Sequence, residues 1–152
     1  MKEFNLSFAD EVPKLKMNEF SNFLYYFRVT YAIACEFLGE FKELKPEQLL
    51  GDTSEIEKKF REYLLNFSQP YARTKYFLGD MGDAELLITR ISKDSPIMIW
   101  IVGLVTALVM AVIIAGGEVD LRSLKFKLNP LGEGLTKLRE AFRTREEKDM
   151  RE

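Results

Sequence analysis

Aromatic and basic side chains alternate in one short stretch of the chain, residues 69–77. Aromatic rings stack on nucleobases and long cations neutralise phosphates, so this pattern is typical of a site for a nucleotide or a short oligonucleotide. The candidate ligand-binding residues are Tyr71, Arg73, Lys75 and Tyr76. The same pattern fits a structural role, in which Tyr71 belongs to the core and the two cations lie on a solvated face. A protein regulator is the alternative partner.

The sequence lacks the residues of the common hydrolytic and metal sites. Its 152 residues include no histidine, which excludes Ser-His-Asp and Cys-His catalytic sites and the usual zinc ligand sets. Asp80 and Asp83 could bind a divalent cation, but they lie among glycines in a segment typical of a turn. No Walker-type loop or dinucleotide-binding fingerprint occurs. We therefore predict that the chain is not an enzyme and has no catalytic residue, metal or cofactor.

Charge and cysteine content narrow the class of protein further. The net charge is −2 with both signs mixed, which does not favour a non-specific nucleic-acid binder. The single cysteine, Cys35, cannot form an intrachain disulfide. A reducing compartment is the expectation for this part of the chain.

An uncharged, strongly apolar run occupies residues 95–117. A helix of about 20 residues spans about 30 Å, the thickness of the hydrocarbon core of a bilayer. Only Thr106 interrupts the apolar circumference of such a helix, and Pro96 suits its first turn. Trp100 fits an interfacial anchor. The run therefore predicts one transmembrane helix.

A soluble fold is the alternative interpretation of this run. In that fold, strands near residues 84–91 and 119–128 are joined by a buried crossover helix. A chain of this length has little material with which to cover such a helix on every side. The sequence therefore favours a membrane-spanning helix over a buried crossover helix.

Two faces of the predicted span could carry its function. Small residues recur at every fourth position and form a face for close helix packing, which predicts a homo-oligomer in the lipid bilayer, although Gly and Ala are common in any membrane helix. These helix-contact candidates are Gly103, Ala107, Ala111 and Ala115. The neighbouring stripe could line a narrow pore that is gated by dewetting. Its candidates are Val102, Thr106, Val109 and Ile113.

The segments on either side of the span have α+β patterns. Phe4, Leu6 and Phe8 alternate with polar residues, which predicts a half-buried strand. A long aromatic helix follows, with Asn18 as its cap. The remaining predicted elements are a helix that begins with the capping box of Ser54 and Glu57, a strand at residues 85–92 that leads almost directly into the span, a β-hairpin at residues 119–121 and 124–128, and an amphipathic helix from Leu131 to Phe142.

These patterns divide the chain into three predicted segments. They are an α+β domain at residues 1–94, a transmembrane helix at residues 95–117, and a C-terminal β-hairpin with an amphipathic helix at residues 118–152. Flanking cations favour a cytoplasmic C-terminus. The free cysteine and the lack of an export signal favour a cytoplasmic N-terminal domain instead, and we follow this second argument. The expected location is the inner membrane, crossed once.

Three short motifs carry a resemblance to a known group of proteins. They are RISKDSPI at residues 90–97, before the apolar run, GGE at residues 116–118 and LGEGL at residues 131–135. In these motifs the last part of the chain resembles small uncharacterised bacterial single-pass membrane proteins, some of which are encoded in anti-phage defence loci. The resemblance implies a cytoplasmic sensor domain fused to a membrane effector that permeabilises the cell when activated.

Two functions agree with these features. The first is an oligomeric membrane effector or ion channel that is gated by the cytoplasmic sensor domain and acts in bacterial anti-phage defence. The alternative is a membrane-anchored adaptor or regulatory protein that holds a partner-binding domain at the membrane.

Overall fold

A five-stranded mixed sheet organises the computed structural model, which describes residues 2–8, 16–39, 45–49, 54–67, 85–92 and 97–143. The strands are β1 (Lys2–Phe8), β2 (Leu87–Ser92), β3 (Met98–Gly103), β4 (Glu118–Asp120) and β5 (Lys125–Leu128). Their order across the sheet is β2-β3-β1-β5-β4. β1 is antiparallel to β3 and parallel to β5, while β2 pairs with β3 and β4 with β5 in antiparallel ladders.

Four α-helices in the described residues pack on one side of this sheet. They are α1 (Met17–Leu38), α2 (Ser54–Leu64), α3 (Val105–Ile114) and α4 (Leu131–Ala141), with 3-10 turns at Pro46–Leu49 and Leu65–Phe67. The ring centroid of Phe23 in α1 lies 5.1 Å from that of Phe8 in β1, which places α1 directly on the sheet. α2 packs on α1, where the ring centroids of Phe37 and Phe60 are 5.2 Å apart.

The alternation of apolar and polar residues in β1 defines the two faces of the sheet. Phe4, Leu6 and Phe8 are almost completely buried, and we call their side the inner face. In the neighbouring strands, the buried Ile101 lies opposite Phe4, and the ring of Phe126 stacks on that of Phe4 at 5.2 Å. The opposite side, the outer face, carries the polar residues of β1 and their cross-strand neighbours. The predicted half-buried strand is therefore confirmed, and its apolar side contributes to the core.

The predicted transmembrane helix is wrong. Its residues form β3, the connecting residue Leu104 and the ten-residue helix α3. Within the part of the chain that the structure describes, no helix combines the length and the apolar character needed to cross a bilayer. The expectations of a membrane protein, a channel or pore and a single-pass inner-membrane location depended on that span, and they are corrected with it.

The apolar run has a different physical cause from the one the sequence suggested. β3 lies between β1 and β2, and its residues alternate between the buried inner face and the half-buried outer face. α3 is buried on almost every side, with Leu108, Val109, Met110, Ala111 and Val112 each at 0% exposure. A buried strand followed by a buried helix gives the same uninterrupted hydropathy as a membrane span.

The other predicted elements are largely confirmed. The structure contains the helices α1, α2 and α4, the strand β2 and the hairpin of β4 and β5. Asn18 is not the cap of α1, because the helix begins at Met17, and the preceding Lys16 makes no side-chain capping hydrogen bond. β2 pairs with β3 and does not run into a helix. The sheet joins strands from all three segments that the sequence suggested.

Candidate functional site

The predicted ligand-binding residues Tyr71, Arg73, Lys75 and Tyr76 lie outside the described residues. The nucleotide or oligonucleotide site at these positions therefore stays a prediction.

The small residues predicted to form a helix-contact face lie inside this chain's own core. Ala107, Ala111 and Ala115 are at most 2% exposed. Gly103 ends β3 on the inner face, where an added Cβ would come within 2.8 Å of Leu86 Cδ2 and 3.1 Å of the hydroxyl of Tyr31. These small residues thus allow close packing within one chain.

The predicted pore-lining residues belong to two different elements. Val102 lies on the outer face of β3, opposite Glu3 of β1. Thr106, Val109 and Ile113 lie in α3, where Val109 is fully buried and the other two are half-buried. The structure therefore separates Val102 from the other three residues.

One edge of the sheet exposes large apolar side chains. In β2, Leu87 is 55% exposed, Ile88 46% and Ile91 45%. β2 is the outermost strand of the described sheet, so one side of its backbone has no partner strand there. The opposite edge, β4, has three residues and exposes Glu118 and Asp120, which is how proteins protect an edge from pairing with other chains. β2 is longer, with six residues, and although it carries one cation, Arg90, and one β-bulge, three of its apolar side chains remain exposed.

A β-bulge in the middle of β2 directs two polar side chains to the outer face. Between Ile88 and Arg90 the register shifts, so that Thr89 and Arg90 together stand against Trp100 of β3. The guanidinium carbon of Arg90 lies 4.1 Å from the centroid of the Trp100 ring. The hydroxyl of Thr89 donates to Oε2 of Glu3 at 2.7 Å. These two contacts fix the outer side of the edge.

The outer face continues across the sheet as a row of polar residues around one tryptophan. The ladders place these residues side by side, one from each strand: Arg90, Trp100, Asn5, Lys125 and Asp120. The side-chain nitrogen of Asn5 is shielded from solvent and has no hydrogen-bond partner in the structure. We use the name edge surface for the exposed residues of β2 and the adjoining ring of β3: Leu87, Ile88, Thr89, Arg90, Ile91 and Trp100.

A second feature is a cleft of about 290 Å³ beside Cys35. It is lined by the end of α1 and the start of α3: Cys35, Leu38, Gly39, Leu104, Val105, Thr106 and Ala107. The hydroxyl of Tyr31 accepts a hydrogen bond from the backbone N–H of Leu104 at 2.9 Å and donates one to the sulfur of Cys35. Burial raises the pKa of both Tyr31 and Cys35. Because the thiolate is the reactive form, this thiol is not activated as a nucleophile.

An ion pair connects the entry of β2 to α1. The guanidinium of Arg28 contacts both carboxylate oxygens of Glu85, with Nε and Nη2 each at 2.7 Å. Both side chains are less than a quarter exposed. This two-point contact is stronger and more directional than a single ion pair, so it holds the chain just before β2 in place.

Residue pattern alone does not reveal the edge surface or the polar contacts of Tyr31 and Arg28. The signal for β2 was present, since its apolar residues are found on both sides of the strand and have no charged neighbour on the inner side. Whether such a strand is covered depends on its place in the sheet, which local pattern does not give. In the described residues, no group of three or more Cys, Asp and Glu side chains is arranged to hold a metal ion.

Comparison with known proteins gives no further assignment. No family model matches the chain, and neither the curated proteins nor the solved structures include a significant match.

Proposed function

We propose that this chain is an adaptor, a module that binds another protein through the edge surface. The observation that carries the proposal is the exposure of three large apolar side chains, at 55%, 46% and 45%, on one outermost strand. An outermost strand also presents backbone N–H and C=O groups that a further strand can pair with. Strand addition uses these two features together, because the backbone supplies affinity and the side chains supply selectivity.

The composition of the edge surface supports a protein partner. Trp100 and Arg90 belong to the residue types that are enriched in the buried centres of protein interfaces. On the outer face, three cations, Arg90, Lys125 and Lys127, are balanced by carboxylates. Those carboxylates belong to Glu3, Glu118 and Asp120. Protein surfaces that bind nucleic acids are strongly basic, so this charge balance favours a protein partner.

The geometry of the edge also supports a binding role. The stack of Arg90 on Trp100 and the hydrogen bond from Thr89 to Glu3 hold the outer side in one arrangement before any partner arrives. A surface that is ordered in advance loses less conformational entropy on binding. The Cys35 cleft is a weaker candidate for the functional site, because burial raises the pKa of its thiol and so favours the neutral form.

Selection of extended peptides tests the proposal. A displayed library of short peptides is selected on the purified chain, and the selected sequences are measured for binding by the fluorescence of Trp100, the only tryptophan in the chain. We expect apolar, β-prone peptides whose amide contacts map to β2 by NMR. The double variant Ile88→Lys, Ile91→Lys should lose this binding.

A matched control separates the edge from general surface hydrophobicity. Met17 is 83% exposed at the start of α1 and is not part of the edge surface, so Met17→Lys should bind the selected peptides as the unmodified chain does. Peptides that bind the double variant unchanged, or that map to another surface, would show that the edge is not the binding site.

A further inference from the structure

The order of side chains along β2 suggests what its partner is. With the bulge, Leu87, Thr89, Arg90 and Ser92 belong to the outer face, while Ile88 and Ile91 belong to the inner face. Read from either end, the six residues give the same sequence of faces: outer, inner, outer, outer, inner, outer. A strand with this symmetry matches an antiparallel copy of itself.

We propose that β2 pairs antiparallel with β2 of a second copy of this chain, with Ile88 opposite Ile91, to form a continuous ten-stranded sheet. This inference rests on the proposed function and names its partner. A two-fold axis perpendicular to the sheet brings inner face to inner face and outer face to outer face, as a symmetric dimer requires. Each isoleucine then meets the isoleucine of the other copy, and Leu87 meets Ser92.

Only this alignment pairs all six residues of β2 with the two faces consistent. Residues directly opposite each other in an antiparallel pair point to the same side of the sheet. A shift by one residue in one direction places Arg90 opposite Arg90, where like charges repel, and Ile88 opposite Ser92 on the wrong face. A shift in the other direction places Ile88 opposite Arg90. The face pattern therefore selects one register.

Charge complementarity supports the second copy as the occupant. In the proposed register, Arg90 of one copy lies opposite Thr89 of the other. The hydroxyl of Thr89 holds the carboxylate of Glu3 at 2.7 Å on the same outer side. Opposite residues in such a pair have Cβ atoms about 5 Å apart, which is within the reach of an arginine side chain. To reach that carboxylate the guanidinium of Arg90 leaves the ring of Trp100, so the dimer replaces a stack within one chain by a charge pair between the two copies.

Sedimentation of the full chain tests the association. We expect a reversible, concentration-dependent dimer, since one paired strand gives an interface at the small end of the known range. Ile88→Lys and Ile91→Lys should each raise the dissociation constant of the dimer at least about tenfold, because each removes a buried apolar contact and introduces a charge. Met17→Lys should leave it unchanged. A chain that stays monomeric at all concentrations would overturn the inference.

Disulfide trapping tests the register. In a chain with Cys35→Ser, we expect Ile88→Cys and Ile91→Cys variants to cross-link on mixing, because opposite residues have the separation that a disulfide requires. Either variant alone would place its sulfurs about 10 Å apart or more, too far for a bond. Equal cross-linking in all three samples would overturn the register. Arg90→Glu should weaken the dimer, and adding Glu3→Arg to it should restore it.

The two proposals fail in different ways. If the chain is monomeric but selected peptides still bind β2, the second copy is wrong and the adaptor function stands. If Ile88→Lys and Ile91→Lys change neither self-association nor peptide binding, both proposals are wrong. If both hold, the peptides should compete with the dimer, since one strand edge cannot pair with two partners.

Discussion

The hydroxyl of Tyr31 in α1 accepts a hydrogen bond from the backbone N–H of Leu104, at a distance of 2.9 Å. Leu104 is the only residue between β3 and α3, and it has an extended backbone with no side-chain capping hydrogen bond. The first N–H groups of a helix, and the N–H of the residue that precedes it, have no acceptor within the helix. Tyr31 therefore anchors the point at which the apolar run changes from strand to helix.

Removal of this hydroxyl should destabilise the fold. Tyr31→Phe leaves the ring in place and deletes the acceptor of the Leu104 N–H, so we expect the free energy of unfolding to fall by about 1 kcal/mol. Urea denaturation measures this change, with an unaltered slope showing that the same surface is exposed on unfolding. Ser21→Ala is the control, because it deletes an exposed hydroxyl and should change stability by less than about 0.5 kcal/mol. Equal effects would contradict the anchoring role.

The Cys35 thiol should react only at unusually high pH. Burial raises its pKa, so alkylation of the folded chain should begin at a higher pH than alkylation of a free thiol. The hydrogen bond from Tyr31 opposes this shift, and Tyr31→Phe should therefore raise the pKa of Cys35 further. The rate of iodoacetamide labelling against pH measures both effects.

The same shift has a consequence for stability. A thiol whose pKa is higher in the folded chain binds its proton more tightly there than in the unfolded chain. Its contribution to stability is complete below the pKa of the unfolded thiol and is lost as the pH rises through the folded value. Cys35→Ser should reduce this alkaline loss. A labelling profile that matches a free thiol would contradict the burial effect.

A side chain at Gly103 should disturb the junction of β3 with α1. In Gly103→Ala the added Cβ would lie 2.8 Å from Leu86 Cδ2 and 3.1 Å from Leu108 Cδ1. We expect a loss of about 1–3 kcal/mol in the free energy of unfolding, as in other overpacked cores. Gly132→Ala in α4 is the matched control. There the added Cβ approaches only the carboxylate end of Glu19, and alanine favours the helix, so stability should be unchanged or increased.

The ion pair of Arg28 with Glu85 should stabilise the start of β2 in a way that lysine cannot reproduce. Arg28→Lys keeps the charge but loses the two-point contact, so we expect a loss of about 1 kcal/mol. Part of this loss should disappear at high salt, because both side chains are partly exposed. Arg61→Lys, which changes an exposed pair within α2, should have a smaller effect. Stability measurements at two salt concentrations distinguish the variants.

Local pattern was sufficient for elements with a clear period. In β1, Phe4, Leu6 and Phe8 alternate with polar residues, and the structure buries all three. The hairpin of β4 and β5 also follows its alternation, with Phe126 buried between exposed lysines. In both cases one face is covered and the other is solvated, which is the condition under which alternation is informative.

The prediction of a transmembrane helix from the apolar run was wrong for the opposite reason. The inner face of β3 is buried, its half-buried outer face also carries apolar residues, and α3 is buried on nearly every side, so no polar residue marks the boundary at Leu104. β-Branched residues do not mark the boundary either, because they are as frequent in α3 as in β3. The edge surface could not be found from sequence, because the exposure of Ile88 and Ile91 follows from the outermost place of β2 in the sheet.

Because of the position of β1, the sheet can be completed only after strands that are distant in the sequence are present. Among the described strands, the first along the sequence, β1, lies in the middle of the sheet, and its parallel neighbour β5 comes last. Neither side of β1 can be completed until distant residues arrive, which gives the chain a high contact order and slow folding. Until β3 and β5 have been made, the backbone of β1 lacks both neighbouring strands and Phe4 lacks the ring of Phe126 that stacks on it, so a partly made chain exposes groups that favour aggregation.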